Sequence, residues 1–403
     1  MKKSYKLAIL VAALGYFVDI YDLLLFSIVR VSSLKAIGVP DAQLLDQGVL
    51  LINVQMAGLL LGGLFWGILG DKKGRLSVLF GSIFLYSVAN LANSFVSTVE
   101  QYAWLRFFAG LGLAGELGAG ITLVSELMPK EIRGYGTTVV ASVGILGAVV
   151  AALVGDAFDW RTAYIIGGVM GLLLLALRVG VSESGMFQAI KVEKIKKGSF
   201  WKLFGNTASM KKYFSVILVG VPIWFTIGIL VTFSPEFGRS FGMVDLPTAG
   251  RAVMYTYIGL SLGDLSSGLL SQKLKSRKKS LAIFLILLTV AISTYFVFAR
   301  ESLVIYYTWC GFLGFGAGYW AMFVTVASEQ FGTNIRSTVT TTAPNFVRGA
   351  VIPLTMSFQA LKGTFGVSGS AAFVGLVSLA LAFVSLLGLE ESFHKELSYL
   401  ELH

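Results

Sequence analysis

Apolar residues run along this chain in blocks of about 20, separated by short polar joints that carry most of the charge. A block of that length crosses the hydrocarbon of a bilayer as a helix, one of the two structures that satisfy every backbone polar group there. Twelve such blocks are readable, at 6–30, 48–70, 76–98, 100–125, 135–157, 162–182, 213–236, 249–271, 280–299, 302–327, 338–361 and 370–389. The runs are continuous rather than alternating, which excludes a membrane β-barrel. The expected fold is an all-α integral membrane protein with twelve transmembrane helices. The first run is too long, and too interrupted by acid, for a cleaved signal peptide.

The joints divide the chain in two. The longest, 183–212, is rich in lysine and separates a six-helix half at 1–182 from a second at 213–403 that ends in a short tail. Ser125, Glu126 and Arg133 follow the fourth run; Ser328, Glu329 and Arg336 follow the tenth, each offset by 203 residues. DKKGR at 71–75 follows the second run, and KLKSRKK at 273–279 the eighth. Such a duplication predicts two parallel repeats, an architecture of secondary transporters.

Composition agrees: 56% of the 403 residues are hydrophobic and 13% charged, with a mean hydropathy of +0.78. The net charge of +10 is not a nucleic-acid footprint. Of the 32 Lys and Arg residues, 22 fall on one side of the predicted bilayer and seven on the other, while Arg106, Arg178 and Arg348 lie within spans. The basic-side excess predicts that both termini are cytoplasmic. Cys310 stands alone, and His394 and His403 lie in the tail, so neither a disulfide framework nor a metal site is expected. GELGAG (115–120) lies inside a span and follows no strand, so a dinucleotide site is not expected. No cofactor and no enzymatic chemistry follow from any motif.

Chemistry concentrates in the few polar residues inside spans. GYFVDIYDLLLF (15–26) carries Asp19 and Asp22, three apart and therefore on one helix face. Each carboxylate at mid-bilayer depth costs roughly 2.5–3.5 kcal/mol on insertion scales, and intramembrane acids mark proton or ion paths. Desolvation and a like charge one turn away both favour the neutral acid, so one of the pair is expected to load and release a proton. Arg348, near the middle of the eleventh span, has the planar donor set that binds carboxylates. It is read as a substrate clamp or as the partner of Asp19, Asp22 or Glu116. Glu116 lies ten residues beyond Arg106 on the same helix, about 15 Å, too far to pair with it. Arg106 is therefore expected to partner an acid of the first span, and Glu116 to serve either coupling or structure. Tyr16, Tyr21, Trp224, Tyr319, Trp320 and Asn345 fall at mid-span depth and are candidate cavity residues. Asp264 either faces a cavity or pairs with the lysines of 275–279. Asp71, Arg75, Glu126, Arg133, Glu329 and Arg336 form a candidate charge network on the cytoplasmic side.

GILGDKKGR (67–75), RFFAG (106–110) and SELMPKEIRG (125–134), with the twelve spans and the repeat, resemble the major facilitator superfamily over essentially the whole chain. GYFVDIYDLLLF is similar to the G-N-x-x-E-W-Y-D-F pattern of its metabolite:proton symporters, with Asp19 in the Glu place and Ile20 in the Trp place. AGELGAG (114–120) and SESGMFQAI (182–190) are similar to two further segments of that group. The resemblance implies alternating access, a monomer, an inner or plasma membrane location, and a cytoplasmic ionic network that latches the outward-facing state. It also implies proton-coupled uptake of a small organic acid or zwitterion. The fifth span, ASVGILGAVVAALVG (141–155), lacks the proline common in exchangers, which favours symport over proton-driven efflux. A non-transporting sensor is the remaining alternative.

Overall fold

The computed structural model describes residues 2–73, 75–116, 133–183 and 207–393. Among them every regular element is helical. The chain divides into two compact units, Met1–Lys197 and Gly198–His403.

In the first unit α1 (Lys2–Ala36) is followed by α2 (Leu44–Lys73), α3 (Arg75–Asn93), α4 (Val99–Leu113), α5 (Arg133–Ala157) and α6 (Trp160–Glu183). Helix α1 packs along α5 and α6, α2 along α4, and α3 against both α4 and α6. The predicted starts are set by ordinary caps; Thr98, for example, accepts the amide of Gln101 at the head of α4.

The second unit holds α7 (Thr207–Phe225), α8 (Ser234–Ser240), α9 (Ala249–Leu274), α10 (Arg277–Phe298), α11 (Leu303–Ala317), α12 (Trp320–Glu329), α13 (Thr333–Gly349) and α14 (Val351–Gly388). Here α7 packs on α14, α9 and α10 both pack on α11, and α12 lies against α13. Helix α14 joins the eleventh and twelfth spans across Gly366, whose φ of 67° lies where glycine is favoured.

The repeat is visible in helix packing. Gly58 and Gly62 of α2 lie on the carbonyls of Phe107 and Leu111, and Gly110 of α4 lies on the carbonyl of Gln55. In the second unit Gly259 and Gly263 of α9 lie on the carbonyls of Gly311 and Phe315, and Gly314 of α11 lies on that of Thr256. The correspondence runs at an offset of 201 residues on the first helix and 204 on the second. At each point a Cβ would collide with backbone, so both helix pairs require glycine at the crossing. Thr98 and Ser302 cap α4 and α11 at the same offset of 204.

Several predicted spans are not single helices. Among the described residues seven segments are long and apolar enough to cross a membrane, and three of them are interrupted. The seventh span has Pro222 inside α7 and then a π-helical turn at Thr226–Val231. The tenth breaks at Gly318 and Tyr319, between α11 and α12. The eleventh breaks after Gly349, four residues before Pro353, whose ring clashes with the carbonyl four back and removes one donor. Irregular backbone at membrane depth is found where it is shielded by protein or lines a cavity.

Candidate functional site

In the first unit Asp19 and Asp22 are both fully buried on α1. Asp22 rests against Gly167 of α6, where any side chain would run into its carboxylate. Arg106 of α4 is the strongest charged influence on Asp22; Asp19 acts in the opposite sense, and Asn90 of α3 is a neighbour. The Arg106 guanidinium is fully buried and reaches Asn90 Oδ1 at 3.5 Å. Its central carbon lies 5.5 Å from the Phe26 ring and 5.8 Å from the Tyr164 ring. Tyr164 shares a hydrogen bond of 2.7 Å with Tyr102, and Tyr102 also donates to Ser33 at 3.3 Å. The structure thus places Asp19, Asp22 and Arg106 in one buried region of the first unit. It adds Asn90 and Tyr164, which carry no sequence signal beyond being polar within a span.

Glu116 is held differently. Arg178 of α6 grips it with two nitrogens, at 2.5 and 3.0 Å, and a third contact at 3.4 Å joins Arg178 to the carbonyl of Val11. This pair ties α1 and α6 to the end of the fourth span. Gly15 lies directly under it, and a Cβ there would collide with both charged groups. That explains the glycine opening GYFVDIYD. Arg178 is the third intramembrane arginine; the sequence marks it only by position.

The polar tips of two candidate cavity tyrosines are committed within their own units. Tyr21 donates to the carbonyl of Ala163 at 2.9 Å, and Tyr319 donates to that of Val219 at 2.9 Å. Tyr16 packs its ring on Gly144 of α5.

In the second unit the three helix breaks meet around one guanidinium. Arg348 is buried in the last turn of α13, with its central carbon 5.8 Å from the Trp224 ring and 5.8 Å from the Trp320 ring. The two indoles lie edge to face with centroids 6.4 Å apart. Trp224 sits just before the π-turn, and Trp320 is the first residue of α12. Asn345, one turn before Arg348, is buried and donates to Thr341 at 3.2 Å. A guanidinium within about 6 Å of an aromatic ring gains cation–π attraction, and its planar set of N–H donors suits a carboxylate.

Asp264 of α9 does not pair with the lysines of 275–279. One carboxylate oxygen accepts the backbone amide of Ala321 at 3.1 Å. Eleven residues, about 16 Å of helix, separate it from Lys275, the first lysine of that run.

Of the predicted charge network, Glu126 and the side chains of Asp71, Arg75, Arg133 and Arg336 lie outside the described residues. Glu329 is described: Arg277 binds it through two nitrogens at 3.0 and 3.2 Å, and Ser392 donates to it at 2.7 Å. Glu391 accepts the Ser276 hydroxyl and the amides of Arg277 (2.8 Å), Lys278 (3.4 Å) and Phe393 (3.0 Å). Burial opposes the charge of Glu391, but these donors outweigh it and hold the carboxyl below its ordinary value.

Duplicated glycine-packed helix pairs, broken spans and buried intramembrane charges are the features of a multi-pass membrane carrier. Residues 8–366 match the profile of the Major Facilitator Superfamily, and the chain belongs to that family: it is a transporter, not an enzyme, with twelve transmembrane helices in two halves. It is 27% identical over 372 residues to the niacin transporter NiaP of Acinetobacter baylyi, covering 81% of this chain and 80% of that one. It is 26% identical over 399 residues to the cis,cis-muconate transport protein of the same organism, covering 92% of each. Among solved structures it resembles a D-xylose–proton symporter at a TM-score of 0.70 and 16% identity, covering 95% of this chain and 98% of that one.

Proposed function

We propose that this protein is a proton-coupled symporter that takes up a flat, conjugated organic carboxylate by alternating access. One observation carries the reading: the buried Arg348 guanidinium lies 5.8 Å from each of the Trp224 and Trp320 rings, to one side of the indole pair, beside three helix breaks. Arginine supplies a two-pronged contact to a carboxylate, and indoles supply faces for a planar conjugated body. Niacin and cis,cis-muconate, the cargoes named for the two relatives, are both flat conjugated carboxylates. Substrate recognition is therefore assigned to Arg348, Trp224 and Trp320, with Asn345 on the same helix face.

Proton coupling is assigned to Asp22, with Arg106 as the cation that competes with the proton for it and Asp19 as the like charge that opposes its ionisation. Asn90 and Tyr164 hold Arg106 in place. Glu116 is assigned a structural role with Arg178. Glu329 and Arg277 are assigned to the cytoplasmic network, consistent with a chain whose termini are both cytoplasmic and whose membrane is the inner or plasma membrane.

The substrate half of the proposal is tested by binding of nicotinate to the purified protein. Arg348→Ala abolishes saturable binding, and Arg348→Lys weakens it about tenfold or more, because an ammonium lacks the planar fork. Unchanged affinity in Arg348→Ala contradicts the assignment.

A further inference from the structure

We infer that Asp264 is a positioning residue for substrate binding, which fixes the Trp320 indole by holding the broken end of the tenth span. The inference rests on the reading of Arg348, Trp224 and Trp320 as the substrate site. Helix α12 begins at Trp320 without a cap of its own: Tyr319 precedes it, and no side chain within that segment accepts its first amides. The first N–H groups of a helix have no intrahelical partner, and an interrupted span leaves them at membrane depth, where water is scarce. Asp264, from the neighbouring helix α9, supplies the missing acceptor. Its Oδ1 takes the Ala321 amide, one residue past Trp320, at 3.1 Å.

The approach that makes this reach available is itself specific. Gly318 and Gly263 touch backbone to backbone, and a Cβ on either would collide with the other strand of the contact. Asp264 follows Gly263 directly, so the glycine contact delivers the carboxylate to the break. The second oxygen, Oδ2, is buried and has no hydrogen-bond partner among the described residues. The acid is therefore dedicated to one task. The corresponding position in the first half, at the 201-residue offset of the glycine crossing, is Gly63, which offers no side-chain acceptor. A negative group at a helix N-terminus is also favourable to the helix dipole. Trp320 carries its indole 5.8 Å from the Arg348 guanidinium, so movement of the α12 end displaces one wall of the site.

The test is nicotinate binding to the full-length purified protein, with four variants beside the wild type. Asp264→Asn keeps an acceptor of the same reach and is expected to bind within about twofold of wild type. Asp264→Glu keeps the charge but moves the acceptor by one methylene, and Asp264→Ala removes it; both are expected to weaken binding about tenfold. Because Asp264 acts through Trp320, both the small effect of Asp264→Asn and the large effect of Asp264→Glu are expected to vanish in a Trp320→Ala background, so each double variant binds like Trp320→Ala alone. The Asn–Glu comparison decides the matter even if Asp264→Ala does not fold. Binding in Asp264→Glu that equals wild type, weaker binding in Asp264→Asn than in Asp264→Glu, or additive effects with Trp320→Ala would overturn the inference. Arg348→Ala separates the two failures. If it abolishes binding while the Asp264 series is flat, only this inference falls; if it leaves binding intact, the substrate reading falls and this inference with it.

Discussion

A charge held inside a membrane protein needs a partner, a cavity or a task. Glu116 and Arg178 satisfy each other through two contacts. Removing one member leaves the other charged and buried, a cost of about 3–5 kcal/mol. Glu116→Gln and Arg178→Met are therefore each expected to lower the thermal midpoint of the purified protein sharply, and the double variant to recover part of the loss. Gly15→Val, which forces a side chain into the same contact, is expected to behave like the single variants. Full stability in Gly15→Val would show that the pair has room to move. Asp22 has the opposite signature: it sits against an arginine it does not grip. Its substitution by Asn is expected to preserve folding and exchange while abolishing accumulation against a gradient. The sequence exposes Asp19, Asp22, Arg106 and Arg348, because a charged residue in an apolar run is conspicuous one residue at a time. It does not reveal who pairs with whom. Arg178 is as conspicuous as Arg106, but only tertiary packing turns it toward Glu116.

At the scale of elements, the block pattern gives the spans, and the broken helices are what it hides. Hydropathy averages over about 20 residues, so a one-residue irregularity at Gly318 or a π-turn at Thr226–Val231 does not register. Pro353 and Pro222 are readable as breakers, yet proline in a membrane helix does not by itself say whether the helix kinks, bulges or stops. The glycine crossings are likewise invisible until the helices are paired. Once paired, they are demanding: Gly110→Leu in the first unit and Gly314→Leu in the second both place a bulky side chain against a backbone carbonyl. Each is expected to prevent recovery of folded protein, whereas Gly268→Leu, at a position with open space around it, is expected to be tolerated. Equal yields from all three would contradict the crossing geometry. At the head of α10, Glu391 is held ionised below its ordinary value by the Ser276 hydroxyl and backbone amides that outweigh its burial. A carboxyl with a lowered folded-state value stabilises the fold above its unfolded value and loses that contribution as the pH falls through the folded one. The wild type is therefore expected to lose more stability than Glu391→Gln on acidification below about pH 4. Parallel melting of the two proteins across that range would show that the cap contributes nothing.

For the whole molecule, the duplication connects the scales. Two halves built on the same helix crossings, offset by 201 and 204 residues, carry different chemistry at them. The first holds the paired acids and Arg106; the second holds Arg348 and its two indoles. Under the proposed function, proton handling falls to one half and substrate recognition to the other, and alternating access would couple them. The most direct measurement is uptake of labelled nicotinate into proteoliposomes containing the wild type or Asp22→Asn, with and without an inward proton gradient. The account predicts that the wild type accumulates nicotinate only with the gradient and loses accumulation when a protonophore collapses it, while Asp22→Asn exchanges label across the membrane but never concentrates it. Gradient-driven accumulation by Asp22→Asn, or export of nicotinate by the wild type under the same gradient, would contradict it.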